Sequence, residues 1–388
     1  MKKILIFSTA YLPLVGGAEL AIKEITDRLG NKYEFDLICA KINSLQKRER
    51  IGVINVHRIG FGNILDKLLL PFFGFFKAIQ LSRQNYYDLI WSISASYNSF
   101  AALFFKLHRA NIPFVLTLQE GSSEKKRLTK VAFVRPLFNG IFKKADYIQA
   151  ISNYLADFAK RMGASCPIEV VPNGVSIEEV KSQKPASPAG GSKVKSTEEL
   201  KSKLGIRPDE KVVITVSRLV PKNGIKDLIE AMSNVKCQTS NVKLLIAGSG
   251  SLKKELKQKV KNLGLQNKVL FLDEVLPGDV PKYLAVADIF VRPSLTEGLG
   301  NSFLEAMAAG LPIIGTSVGG IPDFLKEGET GLFCKVNDPK DLAKKLELLL
   351  TDQALYQKLK ESGFKLVEEF YNWTIISNKM DRIFQRLI

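Results

Sequence analysis

The sequence predicts a protein of the α/β class, built from two doubly wound units that each have a parallel sheet with helices on both faces. Three observations lead to this prediction. The chain has 388 residues, which is more than one core of ordinary size holds. Short apolar runs rich in β-branched and aromatic residues alternate with helical patterns. This alternating series occurs twice, so we expect two domains with a cleft between them.

The first series of strands starts at the N terminus. Its basic and apolar beginning, MKKILIF, is assigned to a strand and not to a signal peptide, because the apolar run is short and no small-residue cleavage site follows. The pattern AELAIKEITDRL then predicts an amphipathic helix. The strands of the first series are KKILIFSTAY, YEFDLICAK, YDLIWSISA, PFVLTLQE and ADYIQAIS. Those of the second are KVVITVSRL, VKLLIAGSG, KVLFLDEV, DIFVRPS and LPIIGTS.

The two series define the predicted domain boundaries. An N-terminal domain is expected over residues 1–178 and a C-terminal domain over residues 206–370. Residues 179–205 contain a stretch poor in apolar residues and rich in Pro, Gly, Ser and Lys, which predicts a flexible linker or insertion. The last segment, residues 371–388, has apolar residues at helical spacing. It is predicted to be a helix that packs back on the N-terminal domain.

Composition argues against several kinds of site. The four cysteines are scattered without a C-x-x-C pair, which indicates neither a disulfide framework nor a zinc site and favours a reducing compartment. The chain has only two histidines and no Asp-x-Asp pair. Little material remains for a metal cluster or a Ser-His-Asp triad, so no metal or other cofactor is expected.

The formal net charge of +17 is unevenly distributed. Residues 1–175 carry 24 basic against 13 acidic side chains, and residues 176–388 carry 32 against 26. The basic excess of the first half predicts an anionic partner, which is a membrane phospholipid, a nucleic acid or a phosphorylated substrate.

The stretch TEGLGNSFLEAMAAG, residues 296–310, follows a predicted strand and has two glycines that permit close backbone approach. A helix is expected from Ser302 to Ala309, and the N–H groups of its first turn suit phosphate. Ser302 and Glu305 also fit a capping box, in which Glu305 only bonds the backbone of Ser302. Glu297 beside a phosphate would be repelled unless it accepted from hydroxyl groups. A ligand that carries both phosphate and hydroxyls is therefore indicated.

The run RPSLTEGLGNSFLEAMAAGLPIIGTSVGGIPDFL resembles the E-x(7)-E signature of the retaining glycosyltransferases of family 4. That family has the GT-B fold of two facing Rossmann-like domains with an interdomain cleft. The resemblance covers nearly the whole chain. Gly16-Gly17-Ala18-Glu19 is similar to the family's Gly-Gly loop, which approaches the donor's phosphates. Ser217-Arg218-Leu219, followed by Lys222-Asn223-Gly224, resembles the Arg and Lys-Gly pair that holds the diphosphate.

By this resemblance, Glu305 holds the ribose hydroxyls of a nucleotide and Glu297 the hydroxyls of the donor sugar. The backbone around Leu299 meets sugar and phosphate. The implied donor-binding residues are Gly16, Gly17, Arg218, Lys222, Asn223, Gly248, Glu297, Gly298, Leu299, Gly300, Asn301 and Glu305. The implied catalytic residues are Glu297, Arg218, Lys222 and Glu120.

The chain departs from the family pattern at two places. In many members the Lys directly precedes the Gly, whereas here Asn223 does, so either Lys222 or Asn223 meets the diphosphate. After the strand PFVLTLQE, where relatives often carry a His, this chain has Glu120. Glu120 either acts on the acceptor side or is an ordinary loop carboxylate.

The activity implied is transfer of a hexose-type sugar from a nucleotide-diphosphate sugar to a lipid-linked or polysaccharide acceptor. Retention of configuration is expected by front-face substitution, in which the leaving phosphate helps to deprotonate the acceptor. Cleavage of the donor bond places negative charge on the departing diphosphate, and fixed cations such as Arg218 and Lys222 can neutralise that charge without a metal.

Two stretches mix basic and aromatic residues, residues 63–84 and residues 124–144. Such stretches can lie in the headgroup region of an anionic bilayer, although their apolar residues could equally belong to the core. We expect a cytoplasmic protein that attaches peripherally to the inner face of the plasma membrane.

Other functions have less support in the sequence. A dehydrogenase of this fold class needs G-x-G-x-x-G, and the chain has only Gly248-Ser249-Gly250. A nucleotide-sugar epimerase of GT-B fold is the alternative enzyme. A non-enzymatic protein that binds a membrane or nucleic acid is a remote alternative, and no nucleic-acid motif supports it.

Overall fold

The computed structural model describes residues 1–43, 45–63, 65–178, 191–235 and 241–388. They form two compact units, the first made of residues 1–173 with 373–388 and the second of residues 174–372. Each unit is a largely parallel sheet packed between helices. The predicted fold class of two parallel-sheet α/β units is therefore confirmed.

The sheet of the first unit has the strand order β3-β4-β2-β1-β5-β6-β7-β8 among the described residues. Its pairs are parallel except for the β3–β4 hairpin, which the sequence did not predict because these short strands are rich in charged and polar residues. The strands are β1 (Lys2–Phe7), β2 (Tyr33–Ala40), β3 (Arg48–Ile51), β4 (Ile54–Ile59), β5 (Leu89–Ile93), β6 (Phe114–Leu118), β7 (Tyr147–Ala150) and β8 (Ile168–Val170).

Helices cover both faces of this sheet. The helices of the first unit are α1 (Gly17–Leu29), α2 (Asp66–Ser82), α3 (Tyr97–His108), α4 (Glu124–Lys130), α5 (Arg135–Lys144) and α6 (Asn153–Arg161), with a single 3-10 turn at Ala132–Val134. Apolar side chains of α1 pack on one face of the central strands, while α2 and α3 pack together on the other.

The second unit has the strand order β11-β10-β9-β12-β13-β14, with parallel pairing throughout the described residues. Its strands are β9 (Glu210–Val216), β10 (Asn241–Ala247), β11 (Val269–Asp273), β12 (Ile289–Arg292), β13 (Ile313–Thr316) and β14 (Leu332–Cys334). Its helices are α7 (Gly191–Lys203), α8 (Ile225–Asn234), α9 (Lys253–Asn262), α10 (Val280–Ala285), α11 (Asn301–Ala308), α12 (Pro339–Thr351) and α13 (Gln353–Phe370). Single 3-10 turns lie at Pro221–Asn223, Pro277–Asp279 and Ile321–Asp323.

The segment predicted as a flexible linker, residues 179–205, differs in part from that prediction. Residues 179–190 lie outside the described residues, but α7 occupies Gly191–Lys203. This half of the segment is rich in Lys and Glu, which are strong helix formers, and the prediction gave more weight to the neighbouring Pro, Gly and Ser.

The last helix, α14 (Trp373–Gln385), belongs to the first unit. The Phe384 ring packs edge-on against Tyr33 and Trp91, at centroid distances of 5.7 Å and 5.2 Å. Asp381 accepts from the Tyr33 hydroxyl at 2.7 Å, so the one buried carboxylate of this face of α14 is hydrogen-bonded. The core of the first unit therefore contains side chains from the N-terminal strands and from the last helix of the sequence.

Candidate functional site

Strands β9 and β12 lie side by side at the centre of the second sheet. From β9 the chain proceeds outward through β10 and β11, and from β12 it proceeds outward in the other direction through β13 and β14. The strand order therefore reverses between β9 and β12, and ligands of open α/β sheets bind at such a point, beyond the carboxyl ends of the strands. The segments that follow β9 and β12 hold the predicted residues Arg218, Lys222 and Glu297.

A buried ion pair forms the base of this region. Arg292, the last residue of β12, pairs through its guanidinium with the Glu297 carboxylate, and both residues are only 7% exposed. The same guanidinium donates to Ser302 Oγ at 2.7 Å and to Ser294 Oγ at 3.1 Å. A buried charge is tolerated when it is paired and hydrogen-bonded, as here. Glu297 is therefore held in a fixed position.

Arg292 was not among the residues that the sequence predicted. A signal was available, because DIFVRPS is an apolar strand that is interrupted by one arginine at its carboxyl end. Long charged residues are almost never buried unless they are paired. An arginine at that position therefore implies a carboxylate nearby.

Lys222 is the second cation beside Glu297. Its ammonium Nζ lies 3.7 Å from Glu297 Oε1. Burial lowers the pKa of Lys222, the Glu297 carboxylate opposes that change, and the positive charges of Arg292 and Arg218 add to it. Lys222 and Arg292 pair with the one Glu297 carboxylate, and the charge of Arg218 acts on Lys222, so this end of the second unit has an excess of positive charge that suits an anionic ligand.

Asn223 has a different environment from Lys222. Its side chain is buried, and its Nδ2 donates to the backbone oxygen of Arg218 at 2.6 Å. The amide therefore holds the turn after β9 in shape. Arg218 itself has an exposed side chain.

Helix α11 begins at Asn301, directly after the buried Gly298-Leu299-Gly300 turn. The capping-box alternative for Ser302 and Glu305 is wrong. The N-cap position is Gly300 and no side-chain cap bond forms, while Ser302 Oγ accepts from Arg292. The helix begins before Ser302, so Ser302 is not in the N-cap position and Glu305 does not complete a capping box.

Glu305 is half-buried in the second turn of α11. Burial raises the pKa of its carboxyl group to about 7, and the positive charge of Arg292 opposes that rise. No hydrogen bond to its side chain is present among the described residues. Glu305 is thus a carboxyl group with free acceptor capacity beside the cationic region.

Close backbone contacts set the shape of the loops. At Gly319, with φ of +57°, an added Cβ would lie 1.8 Å from the Glu297 backbone oxygen. At Gly248, with φ of +136°, it would lie 2.0 Å from the Ser217 oxygen. Both positions require glycine for steric reasons. Gly248 thereby brings the end of β10 against the turn that carries Arg218.

The remaining predicted residues, Gly16, Gly17 and Glu120, belong to the first unit. Gly16 is the N-cap of α1 and both glycines are exposed. The Glu19 carboxylate of the first turn lies over Gly16, where an added Cβ would come within 2.6 Å of Glu19 Oε2. The helix follows β1, next to β5 in the sheet, so it lies where the strand order of the first unit reverses.

Glu120 follows β6 and is not an ordinary exposed loop carboxylate. Its Oε1 accepts from the backbone N–H of Ala95, and its Oε2 lies 3.7 Å from Arg127 Nη1. Burial raises the pKa of Glu120 and Arg127 opposes the rise. The Arg127 guanidinium stacks on the Phe158 ring at 3.9 Å. The sequence placed Arg127 among the basic residues of the predicted membrane stretch 124–144, but the side chain is buried beside Glu120 and not at the surface.

The two predicted membrane stretches divide between core and surface. In residues 124–144, Phe138 and Phe142 are buried, whereas Phe133 is fully exposed. In residues 63–84, Leu70 is buried, whereas Phe76 is 62% exposed. Within the described part of the chain, no helix combines the length and apolar character needed to cross a bilayer. In the same residues, no three His, Cys, Asp or Glu side chains are grouped so as to hold a metal ion.

Two family models match the chain. The model described as Glycosyl transferases group 1 matches residues 196–366, and the model described as Glycosyltransferase Family 4 matches residues 15–179. Together the two models cover most of the sequence, and each corresponds to one of the two α/β units.

Relatives of known name are similar over long segments. The alpha-monoglucosyldiacylglycerol synthase of Streptococcus pneumoniae is 24% identical over 395 residues, which covers 98% of this chain and 88% of that protein. The GDP-mannose-dependent alpha-(1-6)-phosphatidylinositol monomannoside mannosyltransferase of Mycobacterium tuberculosis is 28% identical over 254 residues, which covers 63% of each. The structure of HepE from Anabaena in complex with UDP and glucose superimposes with a TM-score of 0.80 at 21% identity, covering all of both chains. This last likeness shows the fold.

Proposed function

The chain belongs to the glycosyltransferases of family 4, and from this premise we propose that it transfers a hexose from a nucleotide-diphosphate sugar to a lipid-linked or polysaccharide acceptor with retention of configuration and without a metal ion. The observation that carries the proposal is the cationic region at the β9–β12 reversal point. There Lys222 and Arg292 pair with Glu297 before the start of α11, and the charge of Arg218 acts on Lys222.

This region suits a departing diphosphate. Breaking the sugar–phosphate bond leaves negative charge on the diphosphate, and preorganised cations and backbone dipoles stabilise that charge in a partly buried site. The partial positive charge at the N terminus of α11 adds to the charges of Arg218 and Lys222. Two cations and a helix end together offer a metal-free counterpart to the charge of the leaving group.

Between Lys222 and Asn223, the contacts favour Lys222 as the residue that meets the diphosphate. Asn223 is buried and already bonded to the Arg218 backbone, whereas Lys222 is a cation beside Glu297. The lowered pKa of Lys222 reflects burial and neighbouring positive charge, and a bound diphosphate would relieve that repulsion.

The carboxylates supply the hydroxyl contacts. Glu305 has free acceptor capacity one helical turn beyond the phosphate position, and we assign it to the ribose hydroxyls. Glu297 is fixed by Arg292, with its Oε1 facing Lys222, and we assign it to the donor sugar. Glu120, with a pKa raised by burial, is assigned to the acceptor side, where it binds or deprotonates the acceptor hydroxyl.

The donor experiment is thermal unfolding in the presence of nucleoside diphosphates, because a ligand that binds only the native state raises the melting temperature. We expect at least one nucleoside diphosphate to stabilise the protein in the presence of a chelator. Stabilisation or turnover that disappears with the chelator would refute the metal-free proposal.

The diphosphate contact is tested by Lys222→Gln. Losing a group that stabilises charge at the transition state costs on the order of 10²–10³ in rate. We expect a fall of that size in kcat/KM, while Lys261→Gln, which removes an exposed lysine of α9, controls for the change in net charge. Equal rates for both variants would remove Lys222 from the mechanism. NMR analysis of the product's anomeric configuration tests retention.

The acceptor and its location follow from the relatives and from the exposed aromatic residues. The two named relatives are a synthase of alpha-monoglucosyldiacylglycerol and a mannosyltransferase of phosphatidylinositol monomannoside, so a lipid is part of both names. The exposed Phe133 is flanked by Lys130 and Arg135, as in a segment that enters a headgroup layer. We therefore propose peripheral attachment to an anionic membrane on the cytoplasmic side. Phe133→Ser should weaken co-sedimentation with anionic vesicles, and unchanged binding would count against this segment.

A further inference from the structure

A groove in the first unit lies between the C-terminal half of α2 and the β3–β4 hairpin. It consists of two cavities, of about 570 Å³ and about 450 Å³, that share Arg48, His57, Lys77 and Gln80. Arg48 and His57 are direct cross-strand partners in the antiparallel β3–β4 pair, so their side chains stand on the same face of the sheet. Lys77 and Gln80, one turn apart on α2, form the opposite wall.

The groove has positive charge that the described residues do not neutralise. Two carboxylates line it, but each has a cation of its own. Asp36 accepts from Lys3, with 3.2 Å between Oδ2 and Nζ, and Glu49 pairs with Arg58. This leaves the cations of Lys47, Arg48 and Lys77, which have no carboxylate within ion-pair distance in the described part of the chain. Lys77 Nζ donates to Gln80 Oε1 at 2.9 Å.

Two further groups indicate that the groove receives a ligand. Both ring nitrogens of His57 are buried and lack a hydrogen bond among the described residues, although a buried polar atom is normally paired. Nε2 lies 3.7 Å from Asp36 Oδ1, whereas Nδ1 has no carboxylate within ion-pair distance in the same residues. Burial lowers the pKa of Lys77, the charge of Arg48 lowers it further, and Asp36 opposes the change. An anion bound between Lys77 and Arg48 would supply the missing counter-charge and a hydrogen-bond partner for Nδ1 of His57.

The rim of the groove is aromatic. Phe73 and Phe76 line the smaller cavity, and Phe72, on the same turn of α2, is 62% exposed. The Phe61 ring packs against Phe73 with 6.5 Å between the centroids. A continuous exposed patch of large apolar side chains marks an interaction surface. The aromatic rim lies beside three cations without a carboxylate partner among the described residues. A ligand that is anionic at one end and apolar at the other fits this arrangement.

We propose that this groove binds the phosphate of an anionic phospholipid in a bilayer, with Arg48, Lys77 and His57 around the phosphate and with Phe72, Phe73 and Phe76 in the acyl region. The proposal rests on the membrane attachment proposed above and goes further by naming the headgroup site. The charge selects an anionic lipid, and the aromatic rim selects a membrane over a soluble phosphate or a nucleic acid.

The test is co-sedimentation of the full chain with vesicles of phosphatidylcholine alone and with phosphatidylglycerol added. Each basic residue near an anionic surface contributes roughly a fivefold factor in partitioning. The double variant with Arg48→Gln and Lys77→Gln should therefore bind phosphatidylglycerol vesicles roughly 25-fold more weakly. The control is the double variant with Lys261→Gln and Lys268→Gln, which removes the same charge from exposed positions in the second unit. It should bind like the wild type.

A third variant, Phe76→Ser, separates a membrane from other polyanions. It should weaken vesicle binding and leave binding to a double-stranded DNA fragment unchanged. The proposal is overturned if the Arg48 and Lys77 double variant binds vesicles as the control does. It is also overturned if Phe76→Ser has no effect on vesicle binding. Melting temperatures equal to that of the wild type exclude misfolding of the variants.

The outcome is separable from that for glycosyl transfer. Nucleoside diphosphate stabilisation of the wild type, measured without vesicles, tests donor binding alone. If the protein binds vesicles but no nucleoside diphosphate stabilises it, the phospholipid site stands and the transferase proposal fails. If a nucleoside diphosphate stabilises the protein but the vesicle tests fail, only the phospholipid site is refuted.

Discussion

Replacing Glu305 with glutamine should stabilise the protein at high pH while it weakens donor binding. Glu305 is half-buried, has no side-chain hydrogen bond among the described residues, and has only the charge of Arg292 to favour its ionised form. Keeping this carboxylate ionised therefore costs folding free energy. Glutamine has nearly the same shape and no charge, so the cost is removed.

The magnitude follows from the pKa. The pKa of Glu305 rises from an ordinary 4.5 to about 7 in the folded protein. Between pH 4.5 and about pH 7 the folded state binds more protons than the unfolded state. The stability that the neutral carboxyl group contributes is therefore complete below pH 4.5 and is lost as the pH rises through 7. One pKa unit corresponds to about 1.4 kcal/mol, so a rise of about 2.5 units gives a loss of at most about 3.5 kcal/mol by pH 8.

The assay is urea unfolding of wild type and Glu305→Gln at pH 5 and pH 8. We expect similar free energies of unfolding near pH 5 and a more stable variant at pH 8. Glu329→Gln, at an exposed position, controls for the change in net charge. The reasoning is refuted if wild type and Glu305→Gln show the same dependence of stability on pH. In parallel, nucleoside diphosphate binding by the wild type should strengthen as the pH rises through about 7, and the variant should lose that dependence.

Two further predictions concern the region around Glu297. Arg292→Leu leaves the Glu297 carboxylate buried without its main partner and should cost about 3–5 kcal/mol in urea unfolding; a loss below about 1 kcal/mol would mean that the pair is not a buried one. Gly319→Ala places a Cβ against the Glu297 backbone oxygen, so it should destabilise the protein more than Gly205→Ala, where φ is +62° and nothing lies within 4 Å. Both glycines have a positive φ, so alanine brings backbone strain at either position. Equal melting temperatures for the two variants would therefore show that the Glu297 backbone moves away from the new Cβ with little loss of stability.

Local sequence patterns were sufficient for the architecture. Period-2 and period-3.6 apolar runs, repeated in two series, predicted the main strands of both sheets and the helix at Trp373–Gln385, because each such run must bury one face. Local patterns also placed Glu297 and Glu305 around the start of a helix, since glycines followed by a helical run indicate where α11 begins. The β3–β4 hairpin and helix α7 were missed, because charged residues there obscure the apolar period.

The environment of each site residue was decided only by the tertiary structure. Arg292 comes before Glu297 in sequence, but their pairing and the bond from Arg292 to Ser302 depend on how the loop after β12 folds back over the strand end. The start of α11 at Asn301 excludes the capping box, and Glu305 has no side-chain hydrogen bond among the described residues. Burial and the proximity of charges are long-range properties, so the pKa shifts of Glu305 and Lys222 have no local signal in the chain. Likewise, Arg48, His57 and Lys77 come together because sheet pairing and helix packing meet there, whereas the sequence alone fixes only that the first half of the chain is basic.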